Sequence, residues 1–269
     1  NPTSGSHFIE QTSATRGFNM TGLVLLMHFN NDSLNNIENY SSTNGTVYDF
    51  SGNNNHGNLT FASPSVFSQT NGKFNGAFNL DGSDDYIKTS FLNITGNRSV
   101  AAWIKTDTFN RRHIIFGNSS KYVFFIETNN QLSVYSGVGV VGSGYIIDTN
   151  TWYHVAIVTN TDVTPHNHTF FLNGLSLNST TGAGSANITG IQAIGDQYEN
   201  AENFDGVIDE FSLWNRSLSA QEVQDLYKRG QSNLSIQVRS CDDISCSGEV
   251  FKGPTNDSSS ISLMQHLTC

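Results

Sequence analysis

The sequence predicts an all-β protein built from two stacked sheets, with one short helix near the end of the domain. Three observations predict it. From Gly22 onward, short apolar segments recur between turns rich in Asn, Gly and Ser, the pattern of closely spaced strands. Within "SVAAWIKT", Val100, Ala102 and Ile104 fall on one face and Ala101, Trp103 and Lys105 on the other, the period of two that a pleated strand imposes. One convincing helix start follows "WNRS".

Taken in order, residues 1–21 carry Thr, Ser, Gly and scattered apolar positions and read as an N-terminal arm. The expected strands are 23–29, 77–80, 86–89, 99–106, 113–117, 122–127, 132–135, 152–159, 169–172, 191–194 and 207–214. "GLVLLMHF" at 22–29 is a buried strand, because a bilayer span needs about 20 apolar residues. Trp103, Trp152 and Trp214 are expected to pack rather than to stack on a ligand. Gly137, Gly139, Gly142 and Gly144 interrupt "SGVGVVGSGY" and predict a rim loop or mobile hairpin. In the helix, Ser219 caps the first amides, Glu222 completes a capping box, and Leu218 packs on Val223 as a staple. Val223, Leu226 and Tyr227 share a face, and Gly230 ends the helix.

Composition bounds the function. Hydrophobic residues make up 36% of the 269 residues and Phe alone supplies 18, enough for a large core. Charged residues are only 13%, so Asn, Ser, Thr and Gly must cover the surface, which suits an extracellular or cell-surface protein. A formal net charge of -10 opposes binding to phosphate backbones and argues against nucleic acid as a partner. N-x-S/T sequons stand at Asn19, Asn31, Asn39, Asn44, Asn58, Asn93, Asn97, Asn118, Asn167, Asn178, Asn187, Asn215, Asn233 and Asn256. Covalent N-linked glycans at these sites would supply the hydration that charges normally supply. The chain starts without Met and without a signal-like segment, as expected of a processed product, and no transmembrane segment is expected.

The remaining candidate residues carry little chemical signal. His166 and His168 in "PHNH" lack a third ligand at a zinc spacing and are expected on an exposed loop. His154 follows the strand period and is expected to be packed or hydrogen-bonded. No G-x-S-x-G supports a serine nucleophile. Asp209 and Glu210 are adjacent, so regular strand alternation should send them to opposite faces and prevent them from forming a catalytic pair. Asp84 and Asp85 fail in the same way.

The blocks "HFNNDSLN", "VYDFSGNNNHGNLT", "GKFNGAFNLDGSDDYIKT", "SVAAWIKT", "TWYHVAIVTN", "TFFLNGLSL" and "FDGVIDEFSLWNRSLSAQEVQDLY" resemble the laminin-G-like members of the concanavalin A-like lectin/glucanase superfamily. The resemblance covers about residues 22–230 and implies a two-sheet jellyroll. That fold hosts lectins, glycosidases, adhesion domains and structural modules. The E-x-D-x-x-E strand of the superfamily's enzymes does not occur here, so catalysis is not expected. The resemblance also implies a structural calcium, held by Asp209 beside the "DGSDD" turn, with the Gly82 carbonyl and Asn30 or Asp49 completing the shell. In the competing reading, Asp49 organises the turn "DFSGNN" and Gly82 serves a tight hairpin.

Residues 231–269 resemble a β-rich accessory module of extracellular prokaryotic proteins and read as a partial module or assembly segment. Cys241 and Cys246 are expected to form a small disulfide loop, which leaves Cys269 over, either to pair with another chain or because the sequence stops inside a longer protein. The arm could supply a further strand within the chain or to a neighbouring molecule. Together these features predict a nonenzymatic, N-glycosylated surface protein with a structural and adhesive role, a filament or coat subunit partnered by copies of itself or other surface proteins. The alternative is a calcium-dependent carbohydrate-binding module or lectin with a sugar ligand. A glycoside hydrolase is the remaining alternative.

Overall fold

The computed structural model describes residues 19–30, 45–60, 67–68, 72–109, 111–118, 121–182, 187–197 and 202–229. The expectations for residues 1–18 and 230–269, which include Cys241, Cys246 and Cys269, lie outside the described residues, as do the sequons at Asn31, Asn39, Asn44, Asn233 and Asn256.

The strands run in chain order as β1 Leu23–Met27, β2 Thr46–Val47, β3 Gly57–Thr60, β4 Phe67–Ser68, β5 Ala77–Asp81, β6 Tyr86–Ile94, β7 Arg98–Thr106 and β8 His113–Gly117. They continue with β9 Tyr122–Ile126, β10 Gln131–Ser136, β11 Val140–Ile146, β12 Tyr153–Asn160, β13 His166–Leu172, β14 Leu175–Gly182, β15 Ile188–Ile194 and β16 Asp205–Trp214, and α1 Ala220–Arg229 follows. Two antiparallel sheets result. The first has the order β14-β13-β12-β7-β16-β5-β4, with β1 also paired to β16. The second has the order β11-β10-β9-β8-β15-β6-β3-β2. This is the expected sandwich with one helix after its last strand.

The core lies between the sheets. Val100, Ala102 and Ile104 of β7 enter it fully buried, beside Ile157, Phe170, Ile208 and Phe211 from the first sheet and Phe116, Phe124, Ile126 and Val134 from the second. Trp103 faces the other way and is buried by packing, as expected: Phe74 meets it edge-on, and Tyr227 of α1 stacks on it at 5.5 Å between ring centroids. The cap also forms as the sequence predicts. The Ser219 hydroxyl accepts the Glu222 amide at 3.2 Å, and the Ser219 amide donates to the Glu222 carboxylate at 2.9 Å.

"SGVGVVGSGY" forms the hairpin that was one of its two expected alternatives: β11 pairs with β10 across a bulge at Gln131/Ser133, and the Ser136 amide donates to the Gly139 carbonyl at the turn. The structure corrects three other expectations. "PHNH" opens β13, and His168 is fully buried, with Nδ1 3.1 Å from the Thr159 hydroxyl. Strand β14 carries only Leu175 and Leu177 as apolar residues and was not expected; its pairing with β13 makes it the edge of the first sheet. Finally, Asp209 and Glu210 do not take opposite faces. Ile208 and Phe211 both lie in the core, so two residues separate consecutive core positions where regular alternation allows one. A bulge between Asp209 and Ser212, with Glu210 at φ 49°, accommodates the extra residue. Glu210 turns to His28, whose Nδ1 lies 2.8 Å from its carboxylate.

Candidate functional site

The outer face of the second sheet carries a groove. Alternation along β8 turns His113 inward, where its Nδ1 accepts the Asp205 amide at 3.1 Å, and sends Arg112 and Ile114 outward. Across the strands, Ile114 pairs with Phe125, Tyr135 with Val123, and Tyr135 again with Val140. Cross-strand neighbours on one face touch, so these side chains form a continuous apolar floor, with Ile114, Val123 and Phe125 packed as a cluster separate from the main core. Gln197 and Glu202 come from the connection between β15 and β16. Together with Arg112, they rim a cavity of about 270 Å³.

Polar groups are fixed around that floor. Arg112 donates to Glu127 through Nε at 2.9 Å and Nη2 at 3.3 Å, and its guanidinium carbon lies 5.2 Å from the Phe125 ring centroid. Its Nη1 is a looser 3.9 Å from Glu202. Gln197 donates to the other Glu202 oxygen at 2.8 Å. The Glu127 hydrogen bonds push the Arg112 pKa up from its already high value, so the guanidinium stays charged. Ile114, Val123 and Phe125 are only 1%, 4% and 2% exposed, so Tyr135 and Val140 supply the accessible apolar surface beside the polar rim, a mix that suits a small ligand bearing hydroxyl groups.

The residues expected to hold calcium are placed as follows. Asp209 is fully buried, and its Oδ2 accepts the Phe74 amide at 2.9 Å while Oδ1 has no hydrogen-bond partner. Burial pushes its pKa up to about 8. The Asn30 side-chain oxygen accepts the Gly76 amide at 3.2 Å, so Asp209 and Asn30 both tie down the segment 74–76. Asp49 is engaged elsewhere: its oxygens accept the amides of Leu26, Ser51 and Asn55 and the Ser51 hydroxyl. The Gly82 carbonyl accepts from Arg111. An orphaned carboxylate oxygen at Asp209 fits a cation, and Asn30 is the expected ligand that shares its neighbourhood. The chemistry a cation would supply there is charge compensation, while Asp209 and Asn30 hold the 74–76 segment against the first sheet.

His154 is buried as a packed ring 5.5 Å from Trp103. Of the described sequons, Asn19, Asn58, Asn93, Asn178 and Asn215 are exposed. Asn97 and Asn118 spend their side-chain amides on Asp162 and on the Ile191 carbonyl, at 2.7 and 2.8 Å.

A laminin-G-type profile, described as the concanavalin A-like lectin/glucanases superfamily, matches residues 81–224, more than half of the chain. The chain belongs to this superfamily. No curated protein matches the sequence of this laminin-G-type domain. Among solved structures it is similar to domain 4 of AbnA, an extracellular GH43 arabinanase of Geobacillus stearothermophilus in complex with arabinotriose. That match has a TM-score of 0.57 and 20% identity, covering 76% of this chain and 98% of the other. It is also similar to the botulinum neurotoxin serotype D ligand-binding domain in complex with N-acetylneuraminic acid, with a TM-score of 0.56, 15% identity and coverage of 83% and 60%. Trypanosoma rangeli sialidase gives a TM-score of 0.51 at 13% identity, covering 77% of this chain and 33% of the enzyme. At these identities the likeness concerns the fold. The fold is thus shared by ligand-binding domains and by chains that include a glycosidase.

The sequence reading did not nominate Arg112, Glu127, Tyr135, Gln197 or Glu202. A signal was present: "HIIFG" and "YVFFI" are buried at every position. In an antiparallel sandwich, apolar residues on both strand faces mark an outer face that is covered or used.

No helix among the described residues of this domain is long and apolar enough to cross a membrane.

Proposed function

We propose that this chain is a nonenzymatic carbohydrate-binding domain of an extracellular protein, with the groove on the second sheet as its sugar site. The observation that carries the reading is the groove in which the ion-paired Arg112, Gln197 and Glu202 share the lining with the partly exposed Tyr135. A sugar ring lays its C–H face on the Tyr135 ring and its hydroxyls against the guanidinium, carboxylate and amide groups. The cavity, about 270 Å³, lies near the lower edge of the roughly 300–1,000 Å³ typical of small-ligand pockets, and so suits one sugar unit of a longer glycan. Arabinotriose and N-acetylneuraminic acid in the complexes of structurally similar domains agree with this class of ligand. N-linked glycans on the exposed sequons and a structural calcium at Asp209 and Asn30 belong to the same reading.

The filament-subunit expectation draws on the sequons, the lack of a catalytic carboxylate pair and the terminal segments, the last of which lie outside the described residues, and the groove favours sugar recognition. The test is a glycan array followed by calorimetry on the deglycosylated chain. Saturable binding that is weakened at least about 10-fold by Tyr135→Ala, the loss of roughly 1.4 kcal/mol, is expected. Absence of binding across plant, bacterial and sialylated glycans, or equal binding by Tyr135→Ala, would overturn it.

A further inference from the structure

We infer that the groove selects uncharged sugars and turns away sugars that carry a carboxylate, with Glu202 as the residue that sets this choice. The inference rests on the sugar-binding reading of the same groove. Its rim holds one guanidinium, Arg112, against two carboxylates: Glu127 lies 2.9 Å from Nε and Glu202 3.9 Å from Nη1. The first carboxylate is a product of strand pairing, because the register that sets His113 opposite Ile126 places Arg112 opposite Glu127 just beyond both strands. The second arrives from the connection between β15 and β16. Together they leave the rim with one negative charge in excess.

A guanidinium grips a carboxylate through two parallel N–H groups on one of its forked edges. The Nε/Nη2 edge of Arg112 is already filled by both Glu127 oxygens, at 2.9 and 3.3 Å. A ligand carboxylate would therefore need the Nη1/Nη2 edge. Glu202 stands at the Nη1 corner of that edge with Oε1, and Gln197 holds it there by donating to Oε2 at 2.8 Å. An incoming anion meets a fixed like charge at the one edge it could use. Arg112 and Glu202 are 39% and 35% exposed, so solvent screens part of this repulsion and the discrimination is about ten-fold rather than a thousand-fold.

A hydroxyl suits the same place. It both donates and accepts, whereas a carboxylate only accepts. A hydroxyl oxygen about 2.8 Å from both Nη1 and Glu202 Oε1 closes a triangle over their 3.9 Å separation, accepting from the first and donating to the second. Nearby cations are turned to other partners: the Lys121 ammonium donates to the Thr189 hydroxyl at 2.7 Å, and Arg111 donates to the Gly82 carbonyl. Neither lines the groove. The formal net charge of -10 acts in the same sense at longer range.

The test is calorimetry on the full chain with matched ligand pairs: neutral hexose oligosaccharides, and the same oligosaccharides with a C6 hydroxymethyl group replaced by a carboxylate. Wild type is expected to bind the neutral member at least about 10-fold more tightly, a difference of roughly 1.4 kcal/mol. Glu202→Gln keeps the side-chain shape without the charge and should cut that ratio at least about 3-fold by improving the carboxylated member. Raising the ionic strength from about 0.01 M to about 1 M shortens the screening length from about 30 to about 3 Å and should shrink the wild-type ratio too, which steric exclusion would not do. The salt series needs no variant and decides the matter should Glu202→Gln fail to fold. Equal or tighter binding of the carboxylated sugars, or a ratio that salt or a folded Glu202→Gln leaves unchanged, would overturn the inference while the groove remains a sugar site. Binding of neither class would remove the sugar reading and the inference with it.

Discussion

Arg112 and Glu127 are joined by two hydrogen bonds, Nε to Oε2 at 2.9 Å and Nη2 to Oε1 at 3.3 Å, on the outer face of the second sheet. The fork fixes the guanidinium plane near Phe125 and leaves Nη1 only loosely engaged, 3.9 Å from Glu202. That edge is free to exchange its weak contact for a ligand hydroxyl.

Arg112→Lys keeps the charge but loses the planar fork, and such exchanges are not conservative at two-bond sites. Sugar affinity should fall by about 10- to 30-fold, or roughly 1.4–2 kcal/mol, with little change in melting temperature because the pair is partly exposed. Calorimetry and a melt on the same samples decide it; a lysine variant that binds like wild type would reduce Arg112 to scaffolding.

Acid should destabilise the sandwich through His154 and His168. Burial pushes His154 down to about 3 and His168 down to about 4. An unfolded histidine titrates near 6.5, so the unfolded chain takes up these protons first. The stability they contribute is present above about pH 6.5 and is lost as pH falls toward about 4. Asp209, held up at about 8, acts in the opposite sense, so the informative quantity is the variant minus wild type. His168→Gln should fall less steeply than wild type across that window in a series of pH-controlled melts, and parallel curves would place the protons elsewhere.

Asp209 should change sign with the metal. In chelator its raised pKa makes the charged form unfavourable, so its contribution to stability declines as pH rises from about 4 through about 8. Asp209→Asn removes that decline and should be at least as stable as wild type near neutral pH in EDTA. With calcium at 100 times its Kd, each occupied site adds about 2.7 kcal/mol, and the variant should gain one site less. Asp209→Ala should cost a few kcal/mol in either condition, because the Phe74 amide loses its acceptor. Equal calcium-induced shifts in wild type and Asp209→Asn would rule out a metal at this carboxylate.

The helix start should respond to each half of its box. Ser219→Ala should cost about 1 kcal/mol, as for other N-caps. Glu222 is also clamped by Arg216 at 2.7 and 2.9 Å, and that pairing pulls its pKa down to about 2. Its stabilising contribution is present above its unfolded value and is lost as pH falls toward about 2. Chemical denaturation of Ser219→Ala and Glu222→Gln measures both; no loss in either would mean that Trp103 and Tyr227 alone hold the helix.

Glycan occupancy should follow the side-chain amides. Asn58, Asn93, Asn178 and Asn215 are exposed, whereas Asn97 and Asn118 are hydrogen-bonded into loops. If the proposed N-glycosylation holds, peptide mapping of the protein from its native source should find the first group occupied ahead of the second. The reverse order would show that attachment ignores the folded contacts.

The sequence by itself determined the elements that local chemistry dictates. The alternation of Val100, Ala102 and Ile104 defined a core strand, and Ser219 with Glu222 defined a helix start. Both follow from backbone periodicity and from hydrogen bonds spanning three residues, so nothing distant is needed to read them. Tertiary structure decided the rest. Strand β14 exists because β13 offers it a backbone ladder, although the apolar residues of "LSLNSTTG" are only Leu175 and Leu177, of which Leu177 packs on the core. The bulge at Glu210 arises where β16 changes partner from β5 to β1, and it overrides the alternation that would have separated Asp209 from Glu210. The groove needs Arg112, Tyr135 and Glu202 from three separated stretches, brought to one outer face by the register of β8, β9 and β10 and by the connection before β16. Strand pairing is set by hydrogen bonds between segments far apart in the chain. A site assembled across strands is therefore legible only once that register is fixed.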